Sequence, residues 1–282
     1  MPLSRRSFLL FGSALALPLV RPARAAEVGA APDAPAVRVV PEFYPTQDPD
    51  LVREMVAVSH GNVARVRELV QARPSLARAA WDWGFGDWET ALGAASHVGN
   101  REIAEYLIEN GARPTLFSAT MLGQLDVVQA FVRASPGVQR IRGPHGIPLL
   151  AHARAGRERA AAVVAYLESL DDADRRPPLQ PLDQNQIAQV SGVYAFGSLA
   201  DERIEIASVP VSPAAPPRTP GAELSFTRGG RALRQLFHLG QLVFHPAGAE
   251  AVRIRFEVVD GAARSLTVHD PEIVLRAERV GA

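Results

Sequence analysis

The chain has 282 residues, of which 47% are hydrophobic and 21% charged, so it can form one large or two modest soluble domains. Its formal net charge is zero, which gives no indication of a nucleic-acid or acidic-lipid partner. The absence of cysteine excludes disulfides, thiol nucleophiles and cysteine-based metal sites, and the absence of lysine excludes Schiff-base catalysis and a phosphate-loop lysine.

The first 25 residues are expected to be a targeting segment rather than part of the fold. The pair Arg5 and Arg6, in the sequence Ser-Arg-Arg-Ser-Phe-Leu, resembles the twin-arginine export motif. The apolar run that follows is shorter than the roughly 20 residues of a membrane-spanning helix. Small residues before position 26 predict cleavage between Ala25 and Ala26, although an uncleaved anchor is the alternative. We therefore predict a periplasmic or exported protein with no transmembrane span in the mature chain.

The next segments are expected to be an extended arm and then a series of helix pairs. Residues 26–47 are rich in alanine and proline and show little periodicity, which is typical of an extended or disordered arm. Residues 48–170 predict about four helix pairs, because glycine turns recur and apolar residues at helical spacing follow each turn. These turns lie at Gly61-Asn62, Gly99-Asn100, Gly123-Gln124 and Gly156-Arg157.

The pair that spans Thr90 to Ala112 has the clearest pattern. A small, alanine-rich helix is followed by a turn, an apolar stripe and the helix stop Asn110-Gly111. This segment resembles an ankyrin repeat, although Ala91 and Gly93 replace the proline and histidine that are usual in that family. The resemblance suggests a bacterial exported ankyrin-repeat protein and implies a stacked surface that recognises a partner rather than a catalyst. Partial matches to the family signature are Thr90, Leu92, Ala95, Pro148, Leu149 and Ala153.

The segment from Trp81 to Trp88 holds all three tryptophans of the chain. It precedes the ankyrin-like pair, in the position of the finger with which ankyrin proteins commonly bind partners. Large aromatic side chains dominate interface hot spots, although these rings could instead cap the core of a short array. His145 lies in a Gly-Pro-His-Gly loop that is expected to be another finger tip. The candidate partner-binding residues are therefore Trp81, Trp83, Phe85, Trp88 and His145.

The C-terminal part of the chain has the pattern of a β domain. Residues 171–186 are charged and broken by prolines, which is typical of a linker. Over 187–282 the apolar residues alternate with polar ones and turn signals separate the runs, which predicts about eight short strands. We expect a small antiparallel β-barrel or a strongly curved sheet. The predicted fold class is thus α + β, in two domains.

No catalytic residue, cofactor or metal site is predicted. Motifs of zinc proteases, of serine hydrolases and of phosphate-binding loops do not occur in the sequence. His60 and His97 precede successive turns and are expected to lie near each other. Two histidines without a third ligand make a poor metal site. We therefore interpret them as helix-end histidines, whose positively charged form is stabilised by the helix dipole.

These patterns together predict a non-catalytic adaptor that uses an ankyrin-type surface to bind an unknown protein partner in the cell envelope. Loss of the four signal arginines from the total of 30 would leave 26 against 30 acidic side chains, which further disfavours a nucleic-acid partner. The alternative hypothesis is that the β domain binds a small apolar molecule or a cell-wall fragment, since barrels of about eight strands can hold one small ligand.

Overall fold

In a computed structural model of the chain, the described residues are 42–174, 178–199, 202–209, 221–229, 233–271 and 273–281. The predicted export signal and cleavage site, with Arg5, Arg6, Ala25 and Ala26, lie outside them, as does most of the predicted arm. A helical half is followed by a closed antiparallel β-barrel, which confirms the predicted α + β class. Both halves belong to one compact unit, Phe43–Ala282. Within the described ranges, no helix is long and apolar enough to cross a bilayer.

The helical half consists of helices that alternate with the glycine turns seen in the sequence. The polar residue after the glycine caps the second helix in two of these turns: Asn62 Oδ1 accepts from the Arg65 amide, and Asn100 Oδ1 accepts from the Ile103 amide. The helices are α1 Pro49–Val58, α2 Val63–Ala72, α3 Ala91–Val98, α4 Arg101–Glu109, α5 Leu116–Met121, α6 Leu125–Ala134, α7 Leu149–Ala155 and α8 Ala161–Glu168.

Helix α3 lies at the centre of this half and contacts α1, α5 and α7. In a linear solenoid each repeat contacts only its neighbours, so the contact between the second and fourth pairs departs from simple stacking. Gly99 makes this contact possible, since its φ is 76° and a Cβ there would lie 2.1 Å from the Ala155 carbonyl oxygen. The packing brings the segments that precede α3 and α7 close to each other.

Two short segments occupy that region. A hairpin, formed by β1 Ala80–Asp82 and β2 Trp88–Thr90, precedes α3. A 3₁₀ turn at Pro144–Gly146 precedes α7. Gly93 of α3 allows both to lie close, because a Cβ there would be 3.5 Å from Pro144 Cγ and 3.8 Å from Glu89 Cγ.

The barrel has eight strands among the described residues, in the order β10-β3-β4-β5-β6-β7-β8-β9, and all neighbours are antiparallel. A short helix, α9 Gln184–Val190, begins within the predicted linker and packs against the barrel core. The strands are β3 Gly192–Ala195, β4 Arg203–Ser208, β5 Leu224–Arg228, β6 Arg234–Gly240, β7 Val243–Pro246, β8 Arg253–Val259, β9 Ala262–Asp270 and β10 Ile273–Arg279.

Side chains fill the interior of the barrel. Tyr194 and Phe244 are completely buried there, and the Tyr194 hydroxyl donates to the Val190 carbonyl at 2.7 Å. The alternating apolar residues of β8 face this core, with Ile254 paired to Val268 of β9. The interior of the barrel is therefore a packed core rather than a ligand-binding cavity.

Candidate functional site

Four side chains from separate segments meet beside the hairpin: His60, Glu89, His97 and His145. The closest approaches are 2.9 Å from His97 Nε2 to Glu89 Oε1 and 3.1 Å from His97 Nε2 to His60 Nε2. His145 Nε2 lies 3.4 Å from Glu89 Oε1, and His60 Nε2 lies 3.7 Å from Glu89 Oε2. One nitrogen or oxygen from each residue lies within 4.8 Å of all the others. The arrangement is that of donor atoms around a common centre.

The fold explains why these four residues converge. His60 follows α1, and His97 is the penultimate residue of α3, which packs beside α1. Glu89 lies on β2, and its side chain passes the space that Gly93 leaves open one turn before His97. His145 comes from the 3₁₀ turn before α7, which the contact of α3 with α7 brings to the same place.

Hydrogen bonds on the outer side of two rings fix which nitrogen faces the cluster. His60 Nδ1 lies 2.9 Å from the Ala57 carbonyl oxygen, and His145 Nδ1 lies 2.8 Å from Asp87 Oδ2. Both partners accept hydrogen bonds, so each Nδ1 carries a hydrogen and donates it. In the neutral rings, Nε2 then presents its lone pair to the cluster. Such outer partners typically orient the histidine ligands of metal ions.

Glu89 is the most buried member of the cluster, with no exposed side-chain surface. Its Oε2 accepts a hydrogen bond of 2.7 Å from Trp83 Nε1. Its Oε1 is buried and lacks a hydrogen bond, although His97 Nε2 lies 2.9 Å from it. A buried carboxylate oxygen without a partner is costly, so this atom is suited to another positive ligand.

The cluster holds a negative charge that favours a cation at its centre. Burial raises the pKa of the Glu89 carboxyl, but the close approach of the polar His145 and His97 rings outweighs it and lowers the pKa to about 2. Burial lowers the pKa of His145, but its bonds to Asp87 and Glu89 outweigh this and raise the pKa to about 9. Without a metal, a proton on His145 supplies the positive charge that a metal ion would otherwise bring.

The donor set fits a transition-metal ion such as Zn²⁺. Imidazole nitrogen and carboxylate oxygen bind Zn²⁺ at about 2.0–2.2 Å, which places tetrahedral donors about 3.3 Å apart. The separations to Glu89 and between His60 and His97 lie between 2.9 and 3.7 Å, and every pair in the cluster lies within 4.8 Å, so the more distant donors would have to move inward around an ion. His60 and His97 do lie together as expected, and two further donor side chains, Glu89 and His145, lie beside them.

The candidate partner-binding residues lie in different environments. Trp81 and Trp83 are half-buried and pack against the helical core. Phe85, at the tip of the hairpin, contacts Phe226 of the barrel with ring centroids 5.6 Å apart. Trp88 is 65% exposed, and it is the exposed member of the three tryptophans. His145 belongs to the cluster rather than to a free finger tip.

Sequence reasoning missed Asp87 and Glu89, which lie on either side of Trp88. Asp87 immediately precedes β2 and Glu89 lies on it, and alternation along the strand places both carboxylates on the face opposite Trp88. Asp87 is 3% exposed and Glu89 is fully buried. Two acids that alternate with an aromatic residue on a short strand are the signal that could have indicated a buried polar site.

A scan against protein-family models and a search of curated proteins find no match to this chain.

Proposed function

We propose that this chain binds one zinc ion through His60, Glu89, His97 and His145. The observation that carries the proposal is the buried Oε1 of Glu89, which lacks a hydrogen bond although two imidazole nitrogens lie within 3.4 Å of it. A metal ion at the centre would bond to this oxygen and replace the shared protons of the cluster. No cysteine is needed, because nitrogen and oxygen ligands suffice for Zn²⁺.

Four protein ligands favour a structural role over catalysis. Catalytic zinc sites usually keep three protein ligands and leave one position for water or substrate, whereas structural sites are closed. The ion would supply the positive charge that joins the end of α1, the hairpin, α3 and the turn before α7. We therefore propose a non-catalytic protein.

The biological role that fits this site is an exported adaptor of the ankyrin type. The resemblance of Thr90–Ala112 and the pair Arg5-Arg6 support that family and that route. The hairpin connects the proposed metal site to the proposed partner-binding surface, because on β2 the Glu89 side chain is buried and the neighbouring Trp88 is exposed. An ion bound by Glu89 would hold the strand that presents Trp88 to a protein partner in the cell envelope.

One observation favours the alternative of a small-ligand site. A cavity of about 150 Å³ lies at the barrel end, between the hairpin tip and the barrel, and Phe85, Phe196 and Phe226 line it. The interior of the barrel is packed, so an apolar ligand would bind at this end and would have to be small.

Zinc binding is tested by titration of the chelator-treated full chain, with metal content measured by mass spectrometry. We expect one ion per chain, and we expect Co²⁺ to give the intense visible absorption of a tetrahedral site. His97→Gln should abolish stoichiometric binding, whereas the control His269→Gln changes an exposed histidine of β9 and should bind normally. The proposal fails if the wild type binds no ion or if His97→Gln binds as tightly as the wild type.

A further inference from the structure

The barrel reaches the cluster through a buried ion pair between Arg234 of β6 and Asp87, which precedes β2 and hydrogen-bonds to His145. On the basis of the proposed zinc site, we infer that Asp87 and Arg234 are positioning residues, through which barrel strand β6 sets the zinc affinity and zinc in turn fastens the barrel to the helical half.

Asp87 holds His145 by two bonds. Its Oδ1 accepts from the His145 backbone amide at 2.8 Å, and its Oδ2 accepts from the His145 ring at 2.8 Å. The first bond fixes the turn and the second fixes the ring orientation and the nitrogen that carries the hydrogen. Asp87 is therefore the partner that orients His145 toward the centre of the cluster.

Arg234 connects Asp87 to the barrel. It lies on β6, its side chain is 9% exposed, and its Nη1 donates to Asp87 Oδ2 and to the Ala247 carbonyl at 2.8 Å. Its Nη2 donates to the Gly84 carbonyl at 3.2 Å, so the same guanidinium also holds the hairpin. A buried ion pair of this kind leaves an uncompensated charge when one partner is removed.

The barrel approaches Asp87 closely at the turn after β7. Gly248 has a φ of 75°, and a Cβ there would lie 2.6 Å from Asp87 Cγ. The Asp87 carboxylate is thus enclosed by Arg234, by this turn and by His145. Displacement of the barrel would expose the carboxylate and loosen its hold on His145.

The coupling must act in both directions. If docking of the barrel raises the zinc affinity by some factor, zinc raises the docking equilibrium by the same factor. Changes in the outer partners of metal-bound histidines commonly alter metal affinity about 10- to 100-fold. We expect the lower end of that range for Arg234, which acts through Asp87.

The test measures zinc affinity by chelator competition on the full chain and three variants. Arg234→Met should bind zinc about 10-fold more weakly. Arg234→Lys should recover only part of this loss, because lysine keeps the positive charge but cannot make the hydrogen bonds of both Nη1 and Nη2. The control Arg264→Met replaces an exposed arginine of β9 and should bind like the wild type. Unchanged or increased affinity in Arg234→Met would overturn the inference while leaving the zinc site itself intact.

Hydrogen exchange on the wild type tests the reverse direction without any substitution. The Ala247 amide, in the turn after β7, donates to the Gln235 carbonyl of β6, next to the Arg234 contact. Zinc should slow exchange in this turn about 10-fold, and the protection should be reduced in Arg234→Met. Zinc binding without any change in exchange at this turn contradicts the inference, whereas failure of the wild type to bind zinc removes the proposed function as well.

Discussion

The Nε2 atoms of His60 and His97 lie 3.1 Å apart, and only one of them can carry the hydrogen between them. His60 donates from Nδ1 to Ala57, so in its neutral form Nε2 is the acceptor. His97 must therefore donate from Nε2 in the metal-free protein. Zinc would take the place of this hydrogen and force His97 to lose it or to move it to Nδ1, so zinc uptake rearranges protons as well as charge.

Glu89→Gln tests the contribution of the single carboxylate ligand. Glutamine keeps the shape and an oxygen that can accept from Trp83 Nε1, but it removes the charge. We expect zinc affinity to fall about 100-fold, since each of four ligands contributes roughly 3 kcal/mol of a structural zinc site. Chelator competition measures it. The matched control is Glu68→Gln, which changes an exposed acid on α2, and equal affinities in the two variants would contradict the assignment.

Trp83→Phe tests the hydrogen bond that holds Glu89 from outside. The substitution leaves Oε2 of a buried carboxylate without its donor, which costs about 1–3 kcal/mol of unfolding free energy. Urea denaturation of the metal-free protein measures this loss. Trp88→Phe is the comparison, because Trp88 is 65% exposed and its replacement should change stability by less than about 0.5 kcal/mol. Similar losses in both variants would show that the bond to Glu89 is unimportant.

Gly99→Ala tests the contact between α3 and α7. A Cβ at Gly99 meets the Ala155 carbonyl at 2.1 Å and is strained by a φ of 76°. We expect a loss of about 3 kcal/mol or more in urea denaturation, from backbone strain and overpacking together. Gly61→Ala changes the equivalent glycine of the first turn, where a Cβ meets nothing within 4 Å, and should be far milder. If Gly99→Ala is no worse than Gly61→Ala, α3 and α7 do not pack in this way.

The buried hydroxyl of Tyr194 leads us to expect a loss of stability at alkaline pH. Burial raises its pKa to about 12 in the folded chain, above the ordinary value of 10.0. Between these values the unfolded chain releases the phenolic proton while the folded chain keeps it, so the free energy of unfolding falls as pH rises. The total change is about 2–3 kcal/mol. The chain contains no lysine, so the ammonium groups that usually titrate in this range are absent.

The measurement is urea denaturation at a series of alkaline pH values for the wild type and Tyr194→Phe. The variant loses the hydrogen bond to Val190 but also loses the ionisable group. Its stability should therefore fall less steeply above about pH 10. Parallel curves for the two proteins would assign the alkaline loss to other groups.

The local elements could be predicted from the sequence because their causes are local. Glycine turns followed by asparagine caps gave the helix pairs around Gly61 and Gly99, and alternation gave β8. The number and spacing of the strands predicted a small barrel or a strongly curved sheet, and the structure shows the closed barrel.

The cluster could not be predicted in the same way, because its members meet through tertiary packing. His145 reaches His97 only because α3 contacts α7, and a linear stack of repeats would keep those helices apart. Glu89 was not predicted, because the three tryptophans of Trp81–Trp88 indicated a partner-binding segment rather than a buried polar site. Glu89 belongs to the site because its side chain points inward from β2. The sequence of a single short strand gives little indication of which of its side chains point inward.

The four proposed ligands are separated by up to 85 positions in the chain, from His60 to His145, so the unfolded polypeptide has no preformed site. The twin-arginine route predicted from Arg5 and Arg6 carries proteins that have already folded. If the chain takes that route, the cluster would be complete before export from the cytoplasm. The ion that it carries would then reflect the regulated metal supply of the cytoplasm, and not whichever metal is most abundant at the protein's destination.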